Sequence, residues 1–255
     1  MPADVSTPRE LPDSVQHALA DFILAVADTK RLLGIRYAEW CDGAPALEAS
    51  VAASAMAQDE LGHSRALLPL LKDFPHVDPG IPEEAPRQQY SALAFLDQPF
   101  ASWPTFVAAN ILIGESLTVA VEAARNSIYV PLRTRAGKIL EEERFHWLHG
   151  EGWFKRLAVH DKEGVELAEK VEQILPESLA WLGLPDEAVL DREGILDAPP
   201  DELRTRLMDR VGPLIAKSAA DHLVGSEGGH WFYNGVIPWN RYDPVTRRLR
   251  RVEAG

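Results

Sequence analysis

Glu60-Leu61-Gly62-His63 and Glu143-Arg144-Phe145-His146 are two copies of one motif, Glu-x-x-His, and each lies in a segment with helical periodicity. On an α-helix, a step of three residues places the carboxylate and the imidazole on one face, so both can reach the same metal ion. A single copy means little, and the third copy, Glu227-Gly228-Gly229-His230, contains glycines that disfavour a helix. The two motifs must therefore be weighed with the helices around them.

Four long helices are predicted, paired in two hairpins. Start signals precede each helix, and Gly43 and Pro75 mark the ends of the first two. The predicted bounds are Pro12 to about Cys41, Pro45 to about Phe74, Ser102 to about Asn126, and Pro131 to about Ala158. Residues 75–100 are too long for a hairpin loop and let the chain cross to the other end of the bundle. This connectivity predicts an all-α, ferritin-like four-helix bundle with a long crossover between helices two and three.

The remaining segments complete the predicted domain organisation. Two additional helices are expected, at Asp161 to Leu182 and at Pro200 to Leu223. No alternation is long enough to predict a sheet. The sequence thus predicts a flexible N-terminus at 1–12, a helical domain at 13–224 and an extended C-terminal tail at 225–255.

The two helices without a Glu-x-x-His motif should each supply an acid, because di-metal carboxylate bundles draw ligands from all four helices. In an antiparallel hairpin, residues equally far from the turn lie at equal depth. With the first turn centred at Ala44, Glu60 pairs with Asp28; with the second centred at Tyr129, Glu143 pairs with Glu115. Glu39 is the rival to Asp28, but it lies 11 residues nearer the turn, about 16 Å along the helix.

Glu115 is predicted to be buried, because Ile111-Leu112-Ile113 and Leu117 to Val121 flank it. A buried carboxylate needs a cationic partner. A structural salt bridge to an Arg is the alternative to a metal ion. Glu142 is expected to be solvated or to support a ligand from outside.

The predicted metal ligands are Asp28, Glu60, His63, Glu115, Glu143 and His146. Two imidazoles and four carboxylates form a hard, oxygen-rich set that suits iron, with manganese as the alternative, whereas structural zinc prefers thiolates. Four carboxylates balance two divalent ions. The set therefore predicts two iron ions and dioxygen activation in a dry bundle core.

Composition excludes several other classes. The 255 residues carry 26 Lys and Arg against 39 Asp and Glu, a formal net charge of −13, so no nucleic-acid or membrane binding is expected. The apolar stretch 106–121 is short for a membrane span and contains Glu115, which indicates a buried helix. The lone Cys41 and an N-terminus without a signal-peptide pattern predict a cytoplasmic protein.

The chain resembles the ferritin-like subunits of the bacterial phenylacetyl-CoA epoxygenase over residues 15–225. Three stretches are similar to its noncatalytic structural subunit: 39–45 (EWCDGAP), 90–99 and 152–157 (GWFKRL). The stretches 58–63 (QDELGH) and 142–146 (EERFH) are similar to its catalytic, di-iron subunit. Where the catalytic subunit has an Asp on the third helix, this chain has Gly114, and a one-residue helical bulge would bring Glu115 into that position.

The resemblance implies a di-iron oxygenase of the monooxygenase or epoxidase type. Its substrate would be a small organic molecule such as an aromatic acyl-CoA, with electrons from a separate reductase and a homodimeric or heteromeric ferritin-like partner. The cations available for a CoA phosphate are scattered: Arg125, Arg133, Arg135 and Lys138. Two alternatives stay open, a noncatalytic structural subunit and an iron- or peroxide-handling ferritin relative. Metal content separates the enzyme from the structural subunit.

Overall fold

Helices make up most of the protein, as the apolar periodicity predicts. A computed structural model describes residues 3–84, 87–184 and 188–250. Pro residues occupy the first turn of three helices, where their missing N–H costs no hydrogen bond. The helices are α1 Asp13–Ala38, α2 Leu47–Leu67, α3 Trp103–Ala109, α4 Glu115–Ala123, α5 Val130–Ala158, α6 Asp161–Trp181, α7 Val189–Arg192 and α8 Pro200–Ile215.

The bundle has the predicted ferritin-like architecture. Helices α1 and α2 form one hairpin, and the α3–α4 rod forms the other with α5. A long crossover containing the 3₁₀ segments Leu68–Asp73 and Ala94–Asp97 joins the two hairpins. Helix α6 packs on α3 and α5 and closes one side of the core.

Helix α1 presents a regular apolar seam to the bundle. The seam repeats every three or four residues, so its members share one helix face. Each is at most 2% exposed, and one of them is a lysine: Leu19, Ile23, Val26, Lys30, Leu33 and Tyr37. The side chain of this lysine reaches the site described below and contacts two of its glutamates.

The third predicted helix contains a bulge. Residues Asn110–Gly114 form a π-helical turn between α3 and α4, at the position where the resemblance to the catalytic subunit implies that a one-residue bulge would bring Glu115 into register. The rod Trp103–Ala123 would be long and apolar enough to cross a membrane, but 94% of its most apolar window is buried in the protein. It is a core helix of the bundle.

The C-terminal segment differs from the extended tail that the sequence predicts. The sixth helix ends at Ile215 rather than at Leu223, and two antiparallel strand pairs follow: β1 Val224–Glu227 with β2 His230–Tyr233, and β3 Tyr242–Asp243 with β4 Arg248–Leu249. Gly228 and Gly229 make the first turn with positive φ angles, which glycine adopts without strain. The strands are too short to show alternation. Residues 251–255 of the predicted tail lie outside the described residues.

The N-terminal segment is also held in place. Val5 donates its N–H to the Ile128 carbonyl at 2.8 Å and accepts from Val130 N–H at 2.9 Å. These bonds anchor the start of the chain to the α4–α5 turn, where a flexible N-terminus is expected from composition. Met1 and Pro2 of that expected segment lie outside the described residues.

Candidate metal centre

Four of the six predicted ligands meet in the centre of the bundle. Glu60 and His63 come from α2, and Glu143 and His146 come from α5; all four are at most 4% exposed. His146 Nδ1 lies 3.5 Å from Glu60 Oε1 and 3.5 Å from Glu143 Oε2. Oxygen and nitrogen atoms of Glu60, Glu143 and His146 lie close enough to hold one metal ion.

Carboxylates on the outer side orient both imidazoles. Glu142 lies 2.5 Å from His63 Nε2, and Asp59 lies 3.2 Å from His146 Nε2. When an imidazole is neutral and its Nε2 donates to the carboxylate, the lone pair of Nδ1 points inward, as in histidine ligands of metals. Both Nδ1 atoms are buried without a hydrogen bond. Glu142 therefore has the supporting position that was one of its two expected roles, whereas the supporting position of Asp59 was not anticipated from the sequence.

Lys30 occupies the space between the two buried glutamates. Its Nζ donates to Glu60 Oε2 at 2.8 Å and to Glu143 Oε1 at 2.5 Å. The Lys30 side chain is completely buried. Its ammonium group thus links two of the carboxylates that would hold a metal ion.

Lys30 and the imidazoles compensate the charges of the two buried glutamates without a metal ion. Burial and the Glu143 charge each favour a protonated Glu60, but Lys30 and the imidazoles outweigh them and lower the pKa of Glu60 to about 2. Burial opposes ionisation of Glu143 as well, yet Lys30 holds its pKa well below the usual value. Burial alone would lower the pKa of His146, but Glu143 and Glu60 raise it to about 10. At neutral pH, Lys30 and a protonated His146 therefore face the ionised Glu60 and Glu143.

Asp28 is buried, but it lies away from the central four. Arg87 binds it with both terminal nitrogens, at 3.0 Å and 2.5 Å, and the Ser91 N–H donates to it at 2.8 Å. Because Asp28 and Lys30 are two residues apart on one helix, they point to nearly opposite sides. Asp28 attaches the crossover to α1 in this structure.

Glu115 lies beside the cluster and has an arginine partner. Arg210 of α8 donates to Glu115 at 3.1 Å and also bonds Glu122. Burial raises the pKa of Glu115 to about 7, although Arg210 opposes the shift. Glu115 and Glu143 line the same cleft, of about 420 Å³, with Arg144 and Arg210. The arginine salt bridge that was the alternative for this residue is present.

The remaining candidates are not part of the cluster. Glu39 is bonded to Arg36 on the surface. Among the cations considered for a CoA phosphate, Arg133 is paired with Asp4 at 2.7 Å, and Arg135 donates to the Pro131 carbonyl at 3.1 Å. These contacts hold the two arginines near the start of α5, and neither lines the cleft beside Glu143.

The lysine could have been found from the sequence. Lys30 follows Val26 by four residues and precedes Leu33 by three, so it continues the apolar seam of α1, whereas Asp28 is outside the seam. A turn centre one residue later, at Pro45, also places residue 30 opposite Glu60. Matching residues by their distance from the turn therefore identifies the helix that contacts Glu60, and it places the contacting residue to within two positions.

The donor set fits a metal ion only in part. Two orphaned Nδ1 atoms and two carboxylates would suit a single divalent ion. A pair of ions needs further carboxylates, but Asp28 and Glu115 are bound by arginines and Lys30 adds a positive charge between the bridging positions. The six-ligand di-iron set is not assembled in this structure, so metal ligation stays a prediction.

Comparison with known proteins identifies the relatives of this bundle. The model of a family described as "Phenylacetic acid catabolic protein" matches residues 3–222. Over 141 residues, the chain is 25% identical to one of the subunits of 1,2-phenylacetyl-CoA epoxidase from Escherichia coli (strain K12). That alignment covers 54% of the chain and 57% of the relative, so it spans little more than half of either protein.

Proposed function

The chain belongs to the phenylacetic acid catabolic protein family, and we propose that it is a ferritin-like subunit that supports a metal-bearing relative within a multicomponent oxygenase. In this role the bundle does not hold a pair of irons itself. The organic substrate, an aromatic acyl-CoA by analogy with the named relative, is oxidised at the metal-bearing partner's site. A separate reductase supplies the electrons, and the complex acts in the cytoplasm.

The Lys30 ammonium between Glu60 and Glu143 is the observation that carries this proposal. A second metal ion would have to displace a buried cation that already makes two charged hydrogen bonds. Such displacement leaves the lysine without partners in a dry core, which is strongly unfavourable. The cluster is thus a stable metal-free core for a subunit whose contribution is structural.

The di-iron oxygenase predicted from the motifs is the second candidate. It is favoured by the two inward-facing Nδ1 atoms, which have no hydrogen bond, and by the Asp59 and Glu142 carboxylates that orient their rings. If iron is bound, Glu60, His63, Glu143 and His146 would hold it, and iron would supply dioxygen chemistry. Glu115 could join that set after losing Arg210.

Reconstitution with iron separates the two candidates. The full chain, produced in iron-supplemented cells and incubated anaerobically with ferrous iron, would be desalted and its metal content measured. We expect far less than one iron per chain and no dioxygen consumption beyond that of the chemical reductant alone. Two irons per chain with reductant-dependent dioxygen consumption would contradict the supporting role and favour the oxygenase.

The supporting role itself is tested by mixing. A metal-bearing subunit of the same family would be assayed for phenylacetyl-CoA oxidation with and without this chain. We expect the two proteins to co-elute and the oxidation rate to rise. Separate elution with an unchanged rate would refute the proposal.

A further inference from the structure

The outer side of α2 and α5 carries large apolar side chains that the bundle does not use. On α2, Leu47 is 77% and Val51 62% exposed; on α5, Phe145 is 69% and Leu148 52% exposed. We define the outer face as ten residues spaced by three or four along the two helices: Leu47, Val51, Ala55, Gln58 and Gly62 on α2, and Glu141, Phe145, Leu148, Gly152 and Arg156 on α5.

The contacts between the helices show that these residues form one surface. Asp59 faces His146, and His63 faces Glu142, so α2 and α5 run antiparallel. Gln58 precedes Asp59 and Phe145 precedes His146, and each is rotated by about 100° around its helix axis relative to the residue that follows it. Because the two helices run in opposite directions, both rotations point the side chains to the same side of the helix pair, away from the buried Glu60 and Glu143.

Two glycines on this face have no explanation in the described part of the chain. A Cβ added at Gly62 or at Gly152 would meet no atom of the described residues within 4 Å, the nearby backbone of its own helix aside. Glycine weakens the interior of a helix relative to alanine, and neither position has the positive φ angle that would require it. Exposed glycines in mid-helix are useful where another backbone or a large side chain comes close.

We propose that the outer face joins two copies of this chain in an antiparallel, twofold dimer. A twofold axis perpendicular to the helices would cross α5 between Leu148 and His149. It would place Phe145 of each copy over Gly152 of the other, so a protruding ring meets a hollow. The same axis places Glu141 opposite Arg156 of the second copy.

The spacing of Val51 and Gly62 on α2 gives the same axis independently of α5. An axis between Met56 and Ala57 places Val51 of one copy over Gly62 of the other. The register fixed by Asp59–His146 and His63–Glu142 sets Met56 opposite His149 and Ala57 opposite Leu148. The axis position found on α2 and the one found on α5 therefore lie at the same level of the bundle. One twofold rotation places Phe145 over Gly152 and Val51 over Gly62 of the second copy.

Charge complementarity indicates that the partner bound at the outer face is a second copy of this chain. The Arg156 guanidinium lies 4.9 Å from the centre of the Trp153 ring, and within the described part of the chain neither Arg156 nor Glu141 has an ion-pair partner. Glu141 and Arg156 are 15 positions apart on one helix, too far to meet in one chain. In the twofold dimer they meet twice. The dimer does not depend on metal content, so its failure would leave the proposed function intact.

Association of the full chain tests the proposal. Sedimentation velocity and light scattering at micromolar concentrations should show a dimer. Leu148→Glu places two carboxylates together near the axis and should give a monomer with unchanged helical circular dichroism. Val165→Glu is the matched control, because Val165 of α6 is 54% exposed and lies outside the face; this variant should stay dimeric.

The glycine hollow gives a second test that does not depend on a folding defect. Gly152→Gln adds a side chain to open space in the isolated chain, so its thermal stability as a monomer should be kept or raised. The same substitution fills the space for Phe145 and should weaken dimerisation by at least ~10-fold. A Gly152→Gln dimer as tight as the wild type would overturn the proposal.

A charge exchange tests the pairing itself. Glu141→Arg and Arg156→Glu should each weaken the dimer, and the double variant should regain most of its affinity, because each exchanged charge meets its new partner across the axis. A monomeric wild-type chain or a double variant weaker than both single variants would overturn the proposal. So would a wild-type monomer that uses this face to bind a metal-bearing family member.

Discussion

Single residues decide what the centre of this bundle can bind. Lys30 is the charged member of the otherwise apolar seam of α1, and its ammonium group contacts the glutamates of both Glu-x-x-His motifs. A buried carboxylate pair needs compensating positive charge. The identity of residue 30, rather than the motifs alone, therefore sets whether the charge is supplied by the chain or by metal ions.

Removing the ammonium should destabilise the protein strongly. Lys30→Met leaves two carboxylates facing each other in the core, and we expect a loss of about 3–5 kcal/mol in the free energy of unfolding, measured by urea titration in metal-free buffer. The control variant combines Lys30→Met with Glu60→Gln and Glu143→Gln. It removes the charges of these three residues together with the carboxylates that raise the pKa of His146, and it should recover most of the loss. A single variant within about 1 kcal/mol of wild type would contradict the assigned role of Lys30.

The same variant should gain affinity for divalent ions. Without the lysine, Glu60, Glu143 and the two histidines can hold one ion, and an ion that binds only the folded state raises its stability. Manganese should therefore raise the melting temperature of Lys30→Met more than that of the wild type. An equal shift in both proteins would show that manganese binds elsewhere.

Glu177 should make stability depend on pH. Burial raises its pKa to about 7, although the Ala94 and Phe95 N–H groups donate to the carboxylate. Because the folded-state pKa exceeds the unfolded value of about 4.5, the folded protein binds the extra proton. This contribution is complete below pH 4.5, is lost between pH 4.5 and 7, and stays lost above pH 7.

Glu177→Gln keeps the acceptor oxygen but cannot ionise. Relative to wild type, the variant should gain up to roughly 3 kcal/mol at about pH 8 and little at about pH 4. Urea unfolding of both proteins across this range provides the measurement. A stability difference that does not change with pH would mean that Glu177 titrates normally.

At the scale of elements, the π-helical turn and the crossover determine where side chains of the core point. The turn Asn110–Gly114 shifts the register of the rod before Glu115. Asn110 donates to the Tyr37 hydroxyl at 3.0 Å, which ties the turn to α1. Asp28 and Glu177 hold the crossover by accepting N–H groups of Ser91 and Ala94.

The close approach of α5 to the π-helical turn predicts a sharp difference between two glycines of one helix. A Cβ at Gly150 would lie 1.7 Å from Asn110 Oδ1, whereas one at Gly137 would meet nothing within 4 Å. Gly150→Ala should therefore lower the free energy of unfolding by about 1–3 kcal/mol. Gly137→Ala should raise it by up to about 1 kcal/mol, and equal effects in thermal unfolding would contradict this packing.

Local spacing makes most of these elements predictable, whereas long-range partners are not. Glu60, His63, Glu143 and His146 can be identified because a three-residue step on a helix fixes their common face. The bulge before Glu115 is suggested not by local spacing but by the resemblance to the catalytic subunit, which has an Asp where this chain has Gly114. The sequence argument favours Asp28 over Lys30 for two reasons. It centres the turn at Ala44 rather than at Pro45, and it does not consider which face of α1 each residue occupies. Arg210 is 95 positions from Glu115, and no sequence pattern joins them.

At the scale of the whole molecule, the ferritin-like bundle keeps the donors of a metal site and adds its own cation. The two motifs, their orienting carboxylates and the bulge are all present, whereas the acids on the other two helices bind Arg87 and Arg210. The result is a core that is electrically balanced without metal.

Diffraction from crystals grown with ferrous iron and measured at the iron absorption edge tests the metal-free core most directly. We expect Lys30 Nζ to be bonded to Glu60 and Glu143, with no anomalous peak between His63 and His146. Two anomalous peaks bridged by these glutamates, with the lysine displaced, would contradict the supporting role and its lysine-balanced centre.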